Sequence, residues 1–244
     1  MLQKIDESIM EGRGPIKILY PGLKNKKKDT SIGSIGRIDH AYFKGNHIVP
    51  MHPHLNDEIL SYFRSGKTEH RDSEGHVEFI GKNKLMLMKA GKLFYHEEKM
   101  FDEGEPLEGL QIFIRPGSKD LNPEVVFLDL EELHSQNKWR LLASPTTETT
   151  FQFSSQTWIY DMKLVSASTT LPIPAQKSLT YLLYVFNGNV VVNEGIALKK
   201  KESLIIKEEE ITISTNSEAE LVLFVTDEGS QYFSEGMYSG NKMK

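Results

Sequence analysis

Short apolar runs broken by Gly, Asn and Asp recur along most of the chain, a rhythm that predicts strands rather than helices. Glu58 to Arg64 reads as one strand, turning at Ser65-Gly66 into Lys67 to Asp72. A turn at Ser73-Glu74-Gly75 leads to His76 to Ile80, and the strands Lys84 to Met88 and Leu93 to Glu97 flank Ala90-Gly91. Leu110 to Ile114 closes this set before Arg115-Pro116. From Leu121 to Ser144 the pattern changes, and the helical spacing within Leu130 to Trp139 predicts a short helix or an irregular connector. Strands resume at Phe151 to Phe153, Trp158 to Val165, Thr180 to Phe186, Val190 to Asn193, Ser203 to Ile206, Glu210 to Ser214 and Leu221 to Val225. Asn187-Gly188 carries a two-residue hairpin signal, because both residues tolerate positive φ. The expectation is an all-β chain with a first domain at 1–120, a linker at 121–144 and a second domain at 145–244. The second half repeats the strand order of the first without alignable identity.

Composition narrows the class of function. The chain has 244 residues, 39% hydrophobic and 26% charged, the balance of a soluble globular protein. A net charge of −5 argues against nucleic acid as a partner, since phosphate neutralisation needs a basic face. The one dense basic run, Lys24 with Lys26-Lys27-Lys28, lies in a polar stretch and reads as a solvated loop. Met1 to Gly12 lacks the apolar core of a signal peptide, and the apolar stretch Leu179 to Phe186 is too short to span a bilayer. A cytoplasmic protein without membrane contact is the expectation. The absence of cysteine removes disulfides, thiolate ligands and Fe–S clusters from consideration.

The histidines are unevenly placed. All eight lie at or before His134, and seven fall between His40 and His96. An imidazole site can therefore form only in the first half. His52-Pro53-His54 puts two imidazoles on one face of a strand, and His96 with Glu98 repeats the spacing on another. Two such dyads on facing strands would supply three neutral nitrogens and one carboxylate, a set suited to Fe(II), Mn(II), Ni(II), Cu(II) or Zn(II). A six-coordinate ion would keep two positions for water or substrate.

These residues carry a family resemblance. Gly45-x6-His52-x-His54-x3-Glu58-x7-Gly66 resembles the first motif of the cupins. His52-Pro53-His54, Glu58, Ser61-Tyr62, Gly66, His70-x-Asp72-Ser73-x-Gly75 and Ala90-Gly91-x4-His96-x-Glu98 resemble the pirin family in particular. Glu105-Pro106-Leu107, Leu110-Gln111 and Leu142-Ala143-Ser144-Pro145 extend the likeness, which is dense over residues 36–116 and thin beyond. It is similar above all to bacterial pirin-like proteins described as quercetin 2,3-dioxygenase-like. The resemblance implies a bicupin: two antiparallel β-barrels of double-stranded β-helix type, with a metal in the first alone. Iron as Fe(II) is the metal it favours, with Mn, Ni, Cu or Zn as alternatives. It implies His52, His54, His96 and Glu98 as ligands, with Glu58 the alternative carboxylate and otherwise a hydrogen-bonding neighbour.

Two stretches depart from the family pattern, Leu55-Asn56-Asp57 and Lys92-Leu93-Phe94. Phe94 should share a face with His96 and put an aromatic ring at the pocket wall. His70 reads either as a pocket group beside the metal or as a hairpin stabiliser. His40 and His47 are expected at the surface, His76 and His134 exposed, and Met86 and Met88 in the barrel core. Trp158 and Tyr160 read as packing residues. The leading functional expectation is an oxygenase that takes O2 and a flavonol-like or other hydroxy-carbonyl small molecule, with Glu98 or Glu58 accepting the hydroxyl proton. The alternatives are an iron-dependent redox sensor acting through a protein partner, and a Zn(II) or Mn(II) isomerase or hydrolase.

Overall fold

The computed structural model describes residues 1–10, 12, 14–20, 29, 31–101 and 104–241. The basic run at 24–28 lies outside the described residues. The described residues are all-β apart from one short 3-10 turn, Glu7–Ile9, and fall into two compact units, each built on a ten-stranded sheet.

The unit that carries seven of the eight histidines comprises Met10–Leu133, Phe153–Ser155 and Gln231–Lys244. Its strands run in the order Ile16–Tyr20, Ile35–Phe43, Leu107–Ile114, Glu58–Ser65, Lys84–Lys89, Val77–Gly81, Lys67–Asp72, Phe94–Met100 and His47–His54. The pairings are antiparallel, so inward and outward side chains alternate in register across neighbouring strands. Phe94–Met100 shows this alternation, with Phe94, His96, Glu98 and Met100 buried between more exposed neighbours. Ile59, Phe63, Ile80, Met86, Met88, Phe94 and Phe113 belong to one apolar cluster. Burying each such side chain stabilises the fold by about 1.5–3 kcal/mol before entropy is counted.

The other unit comprises Met1–Ile9, His134–Gln152 and Gln156–Ser230. Its core is the strand set Leu2–Ile5, Ser203–Lys207, Leu179–Val192, Glu218–Asp227, Thr157–Val165 and Arg140–Ser144. Tyr160, Tyr181, Leu183, Leu204 and Leu223 are among its buried cluster, with Trp158 packed against it.

The structure bears on three local expectations. Asn187-Gly188 is not a hairpin: Leu179–Val192 is one continuous strand of 14 residues. Its register shifts between Val185 and Asn187, Gly188 has φ +79°, and a Cβ there would lie 2.2 Å from the Glu218 carbonyl oxygen. The positive-φ signal therefore marks a bulge rather than a turn, because both devices need the same backbone freedom. Of the two alternatives for Leu130 to Trp139, the structure has the irregular connector. Glu124–Asp129 pairs with Lys84–Lys89, Arg140–Ser144 pairs with Thr157–Val165, and only the stretch between them is irregular. Finally, both units are discontinuous in sequence: strand pairing brings the first residues into the later unit, and backbone hydrogen bonds to Leu55, Asp57 and Pro116 bring the last residues into the earlier one.

Candidate metal centre

His52 and His96 face each other directly across the pairing of His47–His54 with Phe94–Met100. The register of that pair shifts between Val49 and His52, a bulge that sets the two-histidine dyad against its partner strand. His54 Nε2 lies 3.0 Å from His52 Nε2 and 3.0 Å from His96 Nε2. His54 and His96 are buried and His52 half-buried.

The far side of each ring fixes its orientation. His52 Nδ1 is 2.9 Å from the Pro50 carbonyl oxygen, which only a protonated Nδ1 can satisfy. His54 Nδ1 faces Asp57 Oδ2 at 3.4 Å. His96 Nδ1 faces His70 Nδ1 at 3.4 Å, and His70 Nε2 in turn lies 2.9 Å from Asp72 Oδ2. Asp72 also accepts from the backbone amides of Glu74 and His76 and lies 3.0 Å from His76 Nδ1. Carbonyl and carboxylate partners behind imidazoles are what hold metal-ligating histidines in one tautomer.

The chemistry of this donor set fits a cation. Burial pushes the His96 pKa well below its ordinary value, and the neighbouring His54, His52 and His70 add to the effect. Burial likewise lowers His52 and His70. Neutral rings with protonated Nδ1 atoms leave their Nε2 lone pairs aimed at one another, which is repulsive unless a positive charge lies between them. Two nitrogens at about 2.1 Å from one ion and at right angles to each other would lie about 3.0 Å apart. The observed separations match an edge of such an octahedron.

His52 and His54 line a cavity of about 320 Å³, and His96 reaches it through its 3.0 Å approach to His54. The cavity lining also includes Glu98, Gln111, Thr68, Arg37, Asp39 and Tyr238, with Ala41, Phe43, Val49, Phe63 and Phe113 as apolar surface. Gln111 Nε2 donates to both Glu98 carboxylate oxygens, at 2.9 and 2.8 Å. Burial raises the Glu98 pKa to about 7, against the opposing hydrogen bond from Gln111. Asp39 is held by both forks of Arg37, at 2.7 and 2.6 Å.

Glu58 and Phe94 both stand off the cavity wall. The Leu55-Asn56-Asp57 connection resets the phase between the His47–His54 and Glu58–Ser65 strands, so Glu58 does not line the cavity with the histidines. Its carboxylate instead accepts from Ser154 N and Ser154 Oγ. Phe94 does share the inward face with His96, but it is sealed in the apolar cluster and is not part of the cavity wall. His40 is buried rather than superficial, 3.0 Å from Glu108, whereas His47 is exposed. His76 and His134 are half-buried, and Met86 and Met88 are fully buried.

Burial raises the Glu58 pKa to about 7, with the Ser154 hydrogen bonds opposing. A carboxyl with a folded pKa above its ordinary value of 4.5 holds its proton more tightly in the folded state. That contribution to stability is complete below 4.5 and disappears as pH rises through about 7. The melting temperature of wild type should therefore fall relative to Glu58→Gln between about pH 5 and about pH 8, and a pH-independent difference would contradict this placement of the charge.

Asp57, Arg37, Gln111, Phe113 and Tyr238 were not singled out as site residues by sequence pattern. Asp57 had a signal of sorts, standing in a stretch that departs from the family pattern. Tyr238 had none, because it reaches the cavity from the far end of the chain.

Residues 27–114 match the sequence profile of the family Pirin. A quercetin 2,3-dioxygenase of Escherichia coli K12 is 27% identical over 174 residues, covering 71% of this chain and 74% of that protein. Pirin of Mus musculus is 30% identical over 163 residues, covering 63% of this chain and 55% of that one. Over these stretches the chain is similar to the pirin family. Its fold agrees: the bacterial pirin YhhW of Escherichia coli, solved in complex with nickel(II), superposes with a TM-score of 0.80 at 21% identity, covering 93% of this chain and 99% of that one. This chain is thus an all-β protein of bicupin fold, with His52, His54 and His96 grouped so that they could hold a metal ion. Among its described residues, no helix is long and apolar enough to cross a membrane.

Proposed function

We propose that this chain is an oxygenase acting on a quercetin-type flavonol or another hydroxy-carbonyl substrate with O2. The observation that carries the proposal is the convergence of three Nε2 atoms, two of them on histidines that line a largely apolar cavity together with the Glu98 carboxylate. Relatives named quercetin 2,3-dioxygenase supply the substrate class. His52, His54 and His96 would hold one divalent transition metal, Fe(II) by preference, with Glu98 as the fourth ligand. Bound there, the metal supplies Lewis-acid activation of a hydroxyl and a binding place for O2.

The protein's own contribution is orientation and proton handling. Pro50, Asp57 and His70 fix the three rings from behind, so the donor set is organised before any ligand arrives. Gln111 fixes the Glu98 carboxylate, and an oxygen of that carboxylate is the acceptor for the substrate's hydroxyl proton. Glu58 is engaged by Ser154, which leaves Glu98 to this role. The apolar lining excludes water around the reacting edge of the substrate.

One observation favours a second reading, a redox sensor that acts through a protein partner. The line His96, His70, Asp72, His76 leads from the metal site to a side chain that is 40% exposed. Oxygen uptake by iron-loaded protein with quercetin distinguishes the two. Turnover that disappears in Glu98→Gln, with histidine-bound metal retained, is the result expected of the oxygenase. No turnover, together with partner affinity that changes between Fe(II) and Fe(III), would replace it with the sensor.

A further inference from the structure

The end of the chain builds part of the cavity. Tyr238 N and Ser239 N donate to the Asp57 carboxylate at 3.1 and 2.8 Å, and Met237 N donates to the Leu55 carbonyl at 2.8 Å. Phe233 N donates to the Pro116 carbonyl at 2.7 Å, and Arg115 Nε donates to the Ser239 carbonyl at 3.0 Å. The approach is close enough to require glycine on both sides. A Cβ on Gly36 would lie 2.1 Å from the Ser239 carbonyl oxygen, and one on Gly236 would lie 2.3 Å from the Asn56 carbonyl oxygen.

Each of these latches uses backbone atoms of the segment, so none of them depends on the Tyr238 side chain. That side chain lines the cavity instead. Its ring centroid lies 4.8 Å from that of His54 and 5.5 Å from that of Phe113. The Arg37 guanidinium stands 5.4 Å from the Phe113 ring and 5.6 Å from the Tyr238 ring, and its pairing with Asp39 both fixes its plane and balances its charge. The result is a rigid, neutral aromatic surface adjoining one of the metal-binding histidines. A ligand whose hydroxy-carbonyl edge meets the metal would carry its attached group toward that surface.

We infer that Tyr238 is a specificity-determining residue, selecting ligands that bear an aromatic ring next to the hydroxy-carbonyl edge. The inference rests on the metal-binding part of the proposed function, though not on flavonol turnover. Stacking of one ring contributes about 0.5–1.5 kcal/mol, or roughly a twofold to twelvefold preference.

Benzohydroxamate and acetohydroxamate test this, since they share a hydroxy-carbonyl chelating group and differ in the ring. Their affinities for the full-length nickel(II)-loaded chain, measured by calorimetry, are compared with their affinities for the free ion. Wild type should prefer benzohydroxamate by about twofold to twelvefold beyond the free-ion ratio. Tyr238→Phe should keep that preference, and Tyr238→Leu, which keeps apolar bulk without a ring, should lose it with nickel content unchanged. Retention of the preference in Tyr238→Leu overturns the inference. So does equal weakening of both ligands, which would mark a structural role, or failure of wild type to bind either one. Ring preference without quercetin turnover would remove the flavonol reading alone. Quercetin turnover without ring preference would remove this inference alone.

Discussion

His96→Ala should take up no stoichiometric metal, with affinity lowered by more than about 100-fold, the upper end of what losing even a supporting residue behind a ligand costs. His96 supplies one of three converging nitrogens, its Nε2 3.0 Å from His54 Nε2 and its Nδ1 3.4 Å from His70 Nδ1. The metal-free proteins should behave differently. Removing His96 relieves the opposition of lone pairs around His54 Nε2, which offsets part of the cost of the small cavity left behind. The expected pattern is a metal-free melting temperature close to that of wild type and loss of the increase that metal gives wild type, because an ion that binds the folded state stabilises it by mass action. Metal analysis of the dialysed protein, with thermal melts in its presence and absence, reads both quantities. Stoichiometric metal in His96→Ala would mean that the site lies elsewhere.

The largest effect on stability is expected at Arg115. It is the largest of the fully buried side chains, and its guanidinium donates to the carbonyls of Ser239 and Gly33 and to Asp29 Oδ1. It also lies 5.4 Å from the Tyr232 ring. Arg115→Ala leaves two carbonyl oxygens without their donor, unpairs Asp29 and opens a cavity, a combination that costs about 3–5 kcal/mol. For a chain of this size that lowers the melting temperature by roughly 6–20 °C. Arg115→Lys should recover little of it, since an ammonium cannot reproduce the planar fork that reaches three acceptors. Because Ser239 is one of those acceptors, limited proteolysis should cut the segment 231–241 sooner in both variants. A loss under about 1 kcal/mol would show that Arg115 is not what fastens the segment.

What the sequence determined was the chemistry available and the half of the chain that could hold it. The absence of cysteine and the confinement of histidine to the first 134 residues restrict an imidazole site to one unit. Spacing by two along a strand fixes which side chains share a face, so His52 with His54, and His96 with Glu98, were legible as dyads. The alternation of apolar and polar residues gave most of the strands for the same reason: burial of one sheet face is a local, periodic constraint.

Tertiary structure decided whatever depends on a turn's phase or on contacts distant in sequence. Across Leu55-Asn56-Asp57 the parity count restarts, which sent Glu58 to Ser154 and away from the cavity. Inward-facing residues on one strand differ in depth, so Phe94 fills the core while Glu98 lines the cavity. Asn187-Gly188 specifies a positive-φ backbone, which a bulge uses as readily as a hairpin. The contact between Asp57 and Ser239 spans 182 residues of chain and leaves no periodic trace in either segment. The sequence therefore specified the metal ligands, and folding alone supplied Arg37, Phe113 and Tyr238 as the surface beside them, because that surface exists only where separate segments are packed together.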